Sequence, residues 1–422
     1  MGQPPSRPKP AISRSEWGLL VLLAAVQFTN ILDFVIIMPL APLAKRDFQI
    51  TSEQFGHAVA AYGFASFVGT ILAAKYLDRF GRKAALLTLY LGFTVSTLMC
   101  GLAPTYETLV IARAVTGLFG GVVGAAVMAI IGDVFADYRR GTAMGAVMSS
   151  FAIASIVGVP LGLLLAENFG TGAPFVALAV VSALVWASTF FVMPSFRGHL
   201  AKGHPPASMW GLAAEPNHLL AFSFTVFLVL GTFCVVPYLA DSLVANAGQQ
   251  MTNLKYVYLV AGGFTLVSTN LVGRLADRYG KLPVFRIMGT ASIVTILIVT
   301  NLPPLPLWVV ILATTSLMVA TSARMVPAMA LVTASAAPAV RGGFLSLNAA
   351  VQSAAMGLAS EIGGRLIAQS DDGQLSGYPI VGLIAAGSAV VSLLLAGVLR
   401  SAESGVVHVP AKEGVVVAEA AV

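Results

Sequence analysis

The chain has 422 residues, 57% of them hydrophobic and only 10% charged, against about a quarter charged in an ordinary soluble domain. With a mean hydropathy of +0.87, that deficit excludes a water-soluble globular protein and places most of the chain in lipid. The net charge of +6 is scattered in short basic clusters between apolar runs, so no nucleic-acid partner is expected.

Residues 1–16 are polar and basic (Arg7, Lys9, Arg14) and read as a cytoplasmic tail. The apolar run after them is too long for a signal-peptide core and lacks a small-residue cleavage site, so it is expected to be the first span. A spanning helix needs about 20 mostly apolar residues. Twelve segments qualify, at about 17–41, 55–77, 84–103, 107–133, 142–166, 174–194, 217–240, 254–276, 283–302, 306–334, 343–368 and 378–399. Runs this long fit helices, which satisfy their own backbone in lipid, and not short alternating strands. The expected class is therefore an all-α membrane protein. It has a six-helix bundle over 17–194, a cytoplasmic linker at 195–216, a second bundle over 217–399 and a disordered cytoplasmic tail at 400–422.

The linker holds Pro205, Pro206, His199 and His204, with His218 just beyond it. Their spacing makes no metal site. Cys100 and Cys234 lie inside apolar runs and read as small buried side chains, with no metal or disulfide framework. If the N-terminus is cytoplasmic, 18 of the 24 Lys and Arg fall on the cytoplasmic side. Lys45, Arg46, Lys255 and Arg365 fall outside, and Arg113 and Arg324 lie within spans. Basic residues favour the cytoplasmic side, so both termini are expected there.

Two echoes divide the chain. The loop after the second span reads Ala74-Lys-Tyr-Leu-Asp78-Arg79-Phe-Gly81-Arg82-Lys83, and the loop after the eighth reads Gly273-Arg-Leu-Ala-Asp277-Arg278-Tyr-Gly280-Lys281. Their Asp-Arg pairs are 199 residues apart. Arg140-Gly141 and Arg341-Gly342 repeat at 201. Two echoes at nearly one offset indicate a duplicated six-helix unit, and parallel repeats of this kind place a substrate site between the halves near the bilayer midplane.

With these loops, the chain resembles the major facilitator superfamily from about residue 17 to 399. Ala74 replaces the first glycine of the loop signature, which Gly273 keeps. The resemblance implies two pseudo-symmetric six-helix bundles and a gating role for the loop. Asp78 would face the start of the eleventh span, and Arg82 would pair with Asp133 at the end of the fourth. In the fifth span, Gly158-Val-Pro160-Leu-Gly162 is similar to part of the motif of the drug and metabolite antiporter branch. Glycines let helices approach closely and Pro160 removes a backbone hydrogen bond, so a tight crossing with no bearing on direction is the other reading.

Ionisable groups inside spans are costly and mark function. Asp33 lies roughly 24 Å from the cytoplasmic end of the first span and Arg113 roughly 9 Å from the outer end of the fourth, at 1.5 Å per residue. Those depths sum to about the 30 Å hydrocarbon core, so the two can pair. Arg113-Ala-Val-Thr-Gly117, followed by Gly120, Gly121 and Gly124, also resembles the superfamily's fourth-span pattern, whose arginine is tied to proton coupling in exporters. Asp33 is expected to accept a proton or a cationic substrate and Arg113 to tune it, against a static buried pair. At the equivalent place the second half offers Gly231 or Thr232.

Glu361 and Arg365 stand one turn apart in the favourable order. Asn348 and Gln352, one turn apart in the same span, lie half a turn away from Glu361. The amides are expected in the cavity, and Glu361 stays open between a paired structural acid and a second proton site. Arg324, ahead of Pro327 in the tenth span, either snorkels to the cytoplasmic interface or holds an anionic substrate group or an acid of another helix. Gln27, Asn30 and Tyr62 are further cavity candidates.

No nucleotide-binding, zinc-protease or serine-hydrolase motif stands out, so an enzyme is not expected, nor a cofactor. The expected function is a secondary active transporter that moves a small solute by alternating access, as a proton-coupled exporter of drugs or metabolites. The alternatives are an uptake symporter or uniporter of the same fold, or a non-transporting membrane sensor. Expected partners are a small-molecule substrate, protons and the lipid bilayer, with a monomer in a bacterial inner membrane.

Overall fold

The computed structural model describes residues 13–76, 79–135, 137–194, 209–338, 340–370 and 372–402. α1 (Arg14–Ile36) starts on a capping box in which Ser13 Oγ accepts from Glu16 N and Glu16 Oε2 accepts from Ser13 N. That satisfies two donors left free at a helix start. α1 stops short of the expected end at 41, because Pro39 has no N–H and disfavours a helical residue before it. The short α2 (Ala41–Phe48) follows.

The first half continues with α3 (Ser52–Tyr76), α4 (Arg82–Gly101), α5 (Tyr106–Val134), α6 (Asp137–Ile153), α7 (Val159–Phe169) and α8 (Ala173–Val192). α9 (Met209–Ala214) lies in the expected linker, whose other residues up to 208 are outside the described ones. The second half holds α10 (Pro216–Phe233), α11 (Leu239–Ala245), α12 (Met251–Tyr279), α13 (Lys281–Thr300), α14 (Leu307–Ala334), α15 (Arg341–Leu366) and α16 (Tyr378–Val398). Residues 403–422, the rest of the expected tail, lie outside the described residues.

Eleven helical segments among the described residues are long and apolar enough to cross a membrane. α15 makes the twelfth: its 26 residues reach about 39 Å at 1.5 Å per residue. Arg341, Glu361, Arg365, Asn348 and Gln352 lower its hydropathy. It tolerates them because α3, α10 and α16 pack around it, and polar groups in membranes are held where protein covers them.

Two spans are interrupted. The fifth is α6 and α7 joined by a π turn at Ala154–Gly158, just ahead of Pro160. The seventh is α10 and α11 joined by a 3-10 turn at Val236–Tyr238 around Pro237. Proline accounts for both, since each break removes a donor from the helical ladder.

α1 packs with α5, α6 and α8, and α3 and α4 with α5; in the second half α10 packs with α15 and α16, and α12 and α13 with α14. The halves meet where α3 crosses α15 and where the π turn and α7 cross α12. Gly63 of α3 faces Gly357 of α15 so closely that a Cβ would lie 2.7 Å from Gly357 N. Gly56 likewise stands 3.0 Å from Ser360 O by the same measure, and Ser66 Oγ donates to Ser353 Oγ at 3.2 Å. Small residues permit this backbone approach.

Candidate functional site

The first half buries an ion pair. Arg113 Nη1 of α5 donates to Asp33 Oδ2 of α1 at 2.8 Å and to the Asp33 carbonyl at 3.3 Å. Thr97 Oγ1 of α4 donates to Asp33 Oδ1 at 3.0 Å. Asp33 and Arg113 are both 0% exposed. The Tyr62 ring lies 4.6 Å from the guanidinium carbon and the Phe175 ring 5.9 Å. Among the described residues, Arg113 Nε and Nη2 have no hydrogen-bond partner; aromatic faces cover the cation there.

The glycines after Arg113 bring α3 against α5. A Cβ on Gly117 would overlap the Tyr62 carbonyl, and one on Gly121 would overlap the Ser66 hydroxyl. One on Gly120 would lie 2.6 Å from Tyr62 Oη and 2.9 Å from Asn30 Oδ1. Those two groups therefore share a corner with Gln27, which borders Gly124. Asn30 Nδ2 donates to Gly120 O at 3.0 Å, while Asn30 Oδ1 and Gln27 Oε1 have no partner among the described residues. Phe34 adjoins both Tyr62, at 5.2 Å between centroids, and Phe233 of the other half, at 5.8 Å.

Arg324 is also 0% exposed. Nη1 donates to Ser292 Oγ at 2.8 Å, and Nη2 donates to Thr232 Oγ1 at 2.8 Å and to Leu228 O at 3.2 Å. Both the snorkelling alternative and the acid-partner alternative are thereby corrected. The side chain points into the second bundle between α10 and α13, and no acidic side chain pairs with it among the described residues. Asn348 Oδ1 accepts from Thr225 of α10 at 2.8 Å and is buried, so that amide ties α15 to its own half. Gln352, one turn on, is half-buried.

Glu361 turns out of the first site entirely. Its Oε2 lies 2.7 Å from His57 Nδ1 of α3, and its Oε1 accepts from Arg365. Lys45 Nζ donates to Asp241 Oδ2 at 2.7 Å, and Lys255 Nζ to Glu167 Oε2 at 3.3 Å. The His57–Glu361, Lys45–Asp241 and Lys255–Glu167 links each join one half to the other at the face opposite the start of α1, the distal face. The sequence marked Lys45 and Lys255 only as topological charges and passed over His57, Asp241, Glu167 and Thr97. The scarcity of charge on that face was the available signal. Beside them, Asp47 Oδ2 accepts from Thr171 Oγ1 at 2.6 Å. Burial raises the Asp47 carboxyl, but Thr171 and Arg46 outweigh it and hold it below its ordinary value.

At the other face Arg82 Nε donates to Asp133 Oδ2 at 2.7 Å. Asp78 lies outside the described residues. Arg79 is exposed, Gly81 caps α4, and the Lys83 ammonium lies 5.8 Å from the Phe190 ring. In the second copy, Gly280 ends α12 at φ +94, which requires glycine, whereas Gly81 is extended at φ −60. Asp277 is exposed, Gly273 touches Val326, and the Arg278 guanidinium lies 5.4 Å from the Tyr279 ring. In the fifth span Gly158 packs on Leu32 and Gly162 on Ile36, both of α1.

The arrangement is that of a membrane transporter, with two helical bundles, charged links between them on one face and an ion pair inside one bundle. Comparison with known proteins agrees. The Major Facilitator Superfamily profile matches residues 23–360, and the chain belongs to that family. It is 25% identical over 366 residues to the MFS-type transporter YceJ of Bacillus subtilis (strain 168), covering 85% of this chain and 92% of YceJ. It is 27% identical to AraJ of Escherichia coli (strain K12), covering 54% of this chain and only 57% of AraJ. By fold it is similar to a D-xylose-proton symporter, with TM-score 0.72 and 14% identity over 89% of this chain and 97% of that one. The nucleoside transporter NupG (D323A mutant) matches with TM-score 0.70 and 14% identity over 91% and 100%.

Proposed function

We propose that the protein is a proton-coupled exporter of a small solute, working by alternating access, with Asp33 as the proton acceptor. The observation that carries this is the Asp33–Arg113 ion pair, 0% exposed inside a spanning segment. A buried pair is weak evidence of added stability, yet breaking it by removing one partner costs about 3–5 kcal/mol. Protonating Asp33 neutralises the carboxylate and leaves Arg113 to find new acceptors, so α1 and α5 repack. That repacking has the size needed to tip two bundle arrangements that differ by a few kcal/mol.

The links Lys45–Asp241, His57–Glu361 and Lys255–Glu167 close the distal face in this arrangement. In the alternative arrangement they separate and the other face closes; the Arg82–Asp133 pair, formed here within the first half, fixes the loop from Arg79 to Lys83 on that face. The distal face is taken as outside and the termini as cytoplasmic, in a bacterial inner membrane. The tight contacts of Gly158 and Gly162 bring the fifth span beside the helix that carries Asp33, and the export direction rests on the similarity of this motif to that of the antiporter branch. Gln27, Asn30 and Tyr62 form the solute-facing corner in the first half, with Gln352 on the facing half.

The test is reconstitution into liposomes with an imposed pH gradient, screening labelled drugs and small metabolites. Wild-type protein is expected to move at least one of them against its gradient when protons flow the other way. Equal movement with the pH gradient collapsed would overturn coupling, and accumulation running with the protons would overturn the direction.

A further inference from the structure

The proton site and the solute-facing corner are separated by one side chain. Tyr62 of α3 presents its ring to Arg113, 4.6 Å from the guanidinium carbon, and its hydroxyl to the corner at Asn30 and Gly120. Asn30 and Gln27 are each 8% exposed and Tyr62 5%, whereas Asp33 and Arg113 are 0% exposed. The pair is thus the more deeply buried of the two, and the ring lies between it and the corner. The ring is also fixed in place: Phe34 abuts it at 5.2 Å, and Gly117 leaves no gap behind the Tyr62 backbone. Two guanidinium nitrogens of Arg113 have no hydrogen-bond partner among the described residues, so water that reached them would be held there. The other titratable group close to the pair is Cys100, whose thiol lies 3.5 Å from Thr116 Oγ1.

We propose that Tyr62 is a positioning residue that seals the Asp33–Arg113 pair from the solute-facing corner, so that protons do not reach Asp33 from both sides in one arrangement. This rests on the proton-coupled function above and adds the element that makes coupling tight. The flat ring does the sealing, by covering the cation with a π face that needs no water. The hydroxyl serves the corner and is dispensable for the seal.

The experiment uses the full-length protein in liposomes containing a trapped pH-sensitive dye, with valinomycin and potassium clamping the potential and protons as the only probe. Wild type and Tyr62→Phe are expected to hold an imposed pH gradient. Tyr62→Ala and the bulkier Tyr62→Leu are expected to dissipate it at least about tenfold faster, a change equal to about 1.4 kcal/mol. Adding Asp33→Asn to Tyr62→Ala should restore the wild-type rate, because the leak runs through that carboxylate. The seal is overturned if both Tyr62→Ala and Tyr62→Leu hold the gradient, if Tyr62→Phe leaks as they do, or if the leak survives Asp33→Asn. Failure of the underlying function is separate: there, wild-type solute movement ignores the pH gradient whatever the Tyr62 variants do.

Discussion

Arg113 and Arg324 are both fully buried, yet among the described residues only Arg113 has a carboxylate beside it. Thr232 stands 199 residues after Asp33, the same offset that separates the two Asp-Arg loops, and it supplies a hydroxyl where Asp33 supplies a charge. Ser292 matches Thr97 as the hydroxyl from the third span of its half. What compensates Arg324 is the last turn of α10. Leu228 O lies toward the C-terminal end of α10, where the helix dipole is negative. The two arginines should therefore respond differently to loss of charge. Arg113→Gln strands Asp33 and is expected to cost about 3–5 kcal/mol, whereas Arg324→Gln keeps donors for Thr232 and Leu228 and should cost about 1 kcal/mol, one neutral hydrogen bond. Thermal unfolding in detergent checks this, and Asp33→Asn combined with Arg113→Gln should recover much of the first loss. Equal shifts for Arg113→Gln and Arg324→Gln would contradict it. The pairing of Asp33 with Arg113 could be anticipated from depth alone, since helix rise fixes the level of each. The direction of Arg324 could not, because its partners are common hydroxyls and a carbonyl that no spacing announces.

At the scale of elements, the seam between α3 and α15 governs closure of the distal face. Gly63 and Gly357 meet backbone to backbone, so a larger residue has nowhere to go. Overpacking costs about 1–3 kcal/mol, and each 1.4 kcal/mol is about tenfold. Gly63→Leu is thus expected to shift the equilibrium roughly 5- to 150-fold toward an open distal face. With cysteines at Lys45→Cys and Asp241→Cys, whose native side chains meet at 2.7 Å, crosslinking should fall sharply when Gly63→Leu is added. Unchanged crosslinking would show that the seam does not control the gate. The twelve spans themselves were readable from apolar runs. The interruption at Val236–Tyr238 was not, because Pro237 sits in a run apolar enough to read as continuous; at Ala154–Gly158, Pro160 signalled a lost backbone hydrogen bond but not the π turn ahead of it. The role of His57 was hidden for a different reason: its partner, Glu361, is 304 positions away in the sequence, and only the antiparallel crossing of α3 and α15 brings them together.

For the whole molecule, duplication explains why the halves share a frame and differ inside it. The loops repeat, while the fully buried Asp33 belongs to the first half and the amide-bearing α15 to the second. The orientation argued from basic residues is checked by labelling intact cells with an impermeant maleimide. Asp372→Cys, in the distal loop, should label from outside, and Arg400→Cys only after permeabilisation; the reverse pattern would invert the molecule. The central claim is that Asp33 couples protons to solute. Its most direct measurement compares two modes of transport of one solute by wild type and Asp33→Asn in liposomes. The account predicts that Asp33→Asn retains exchange of labelled for unlabelled solute but loses accumulation driven by a pH gradient. Full gradient-driven accumulation by Asp33→Asn would contradict it.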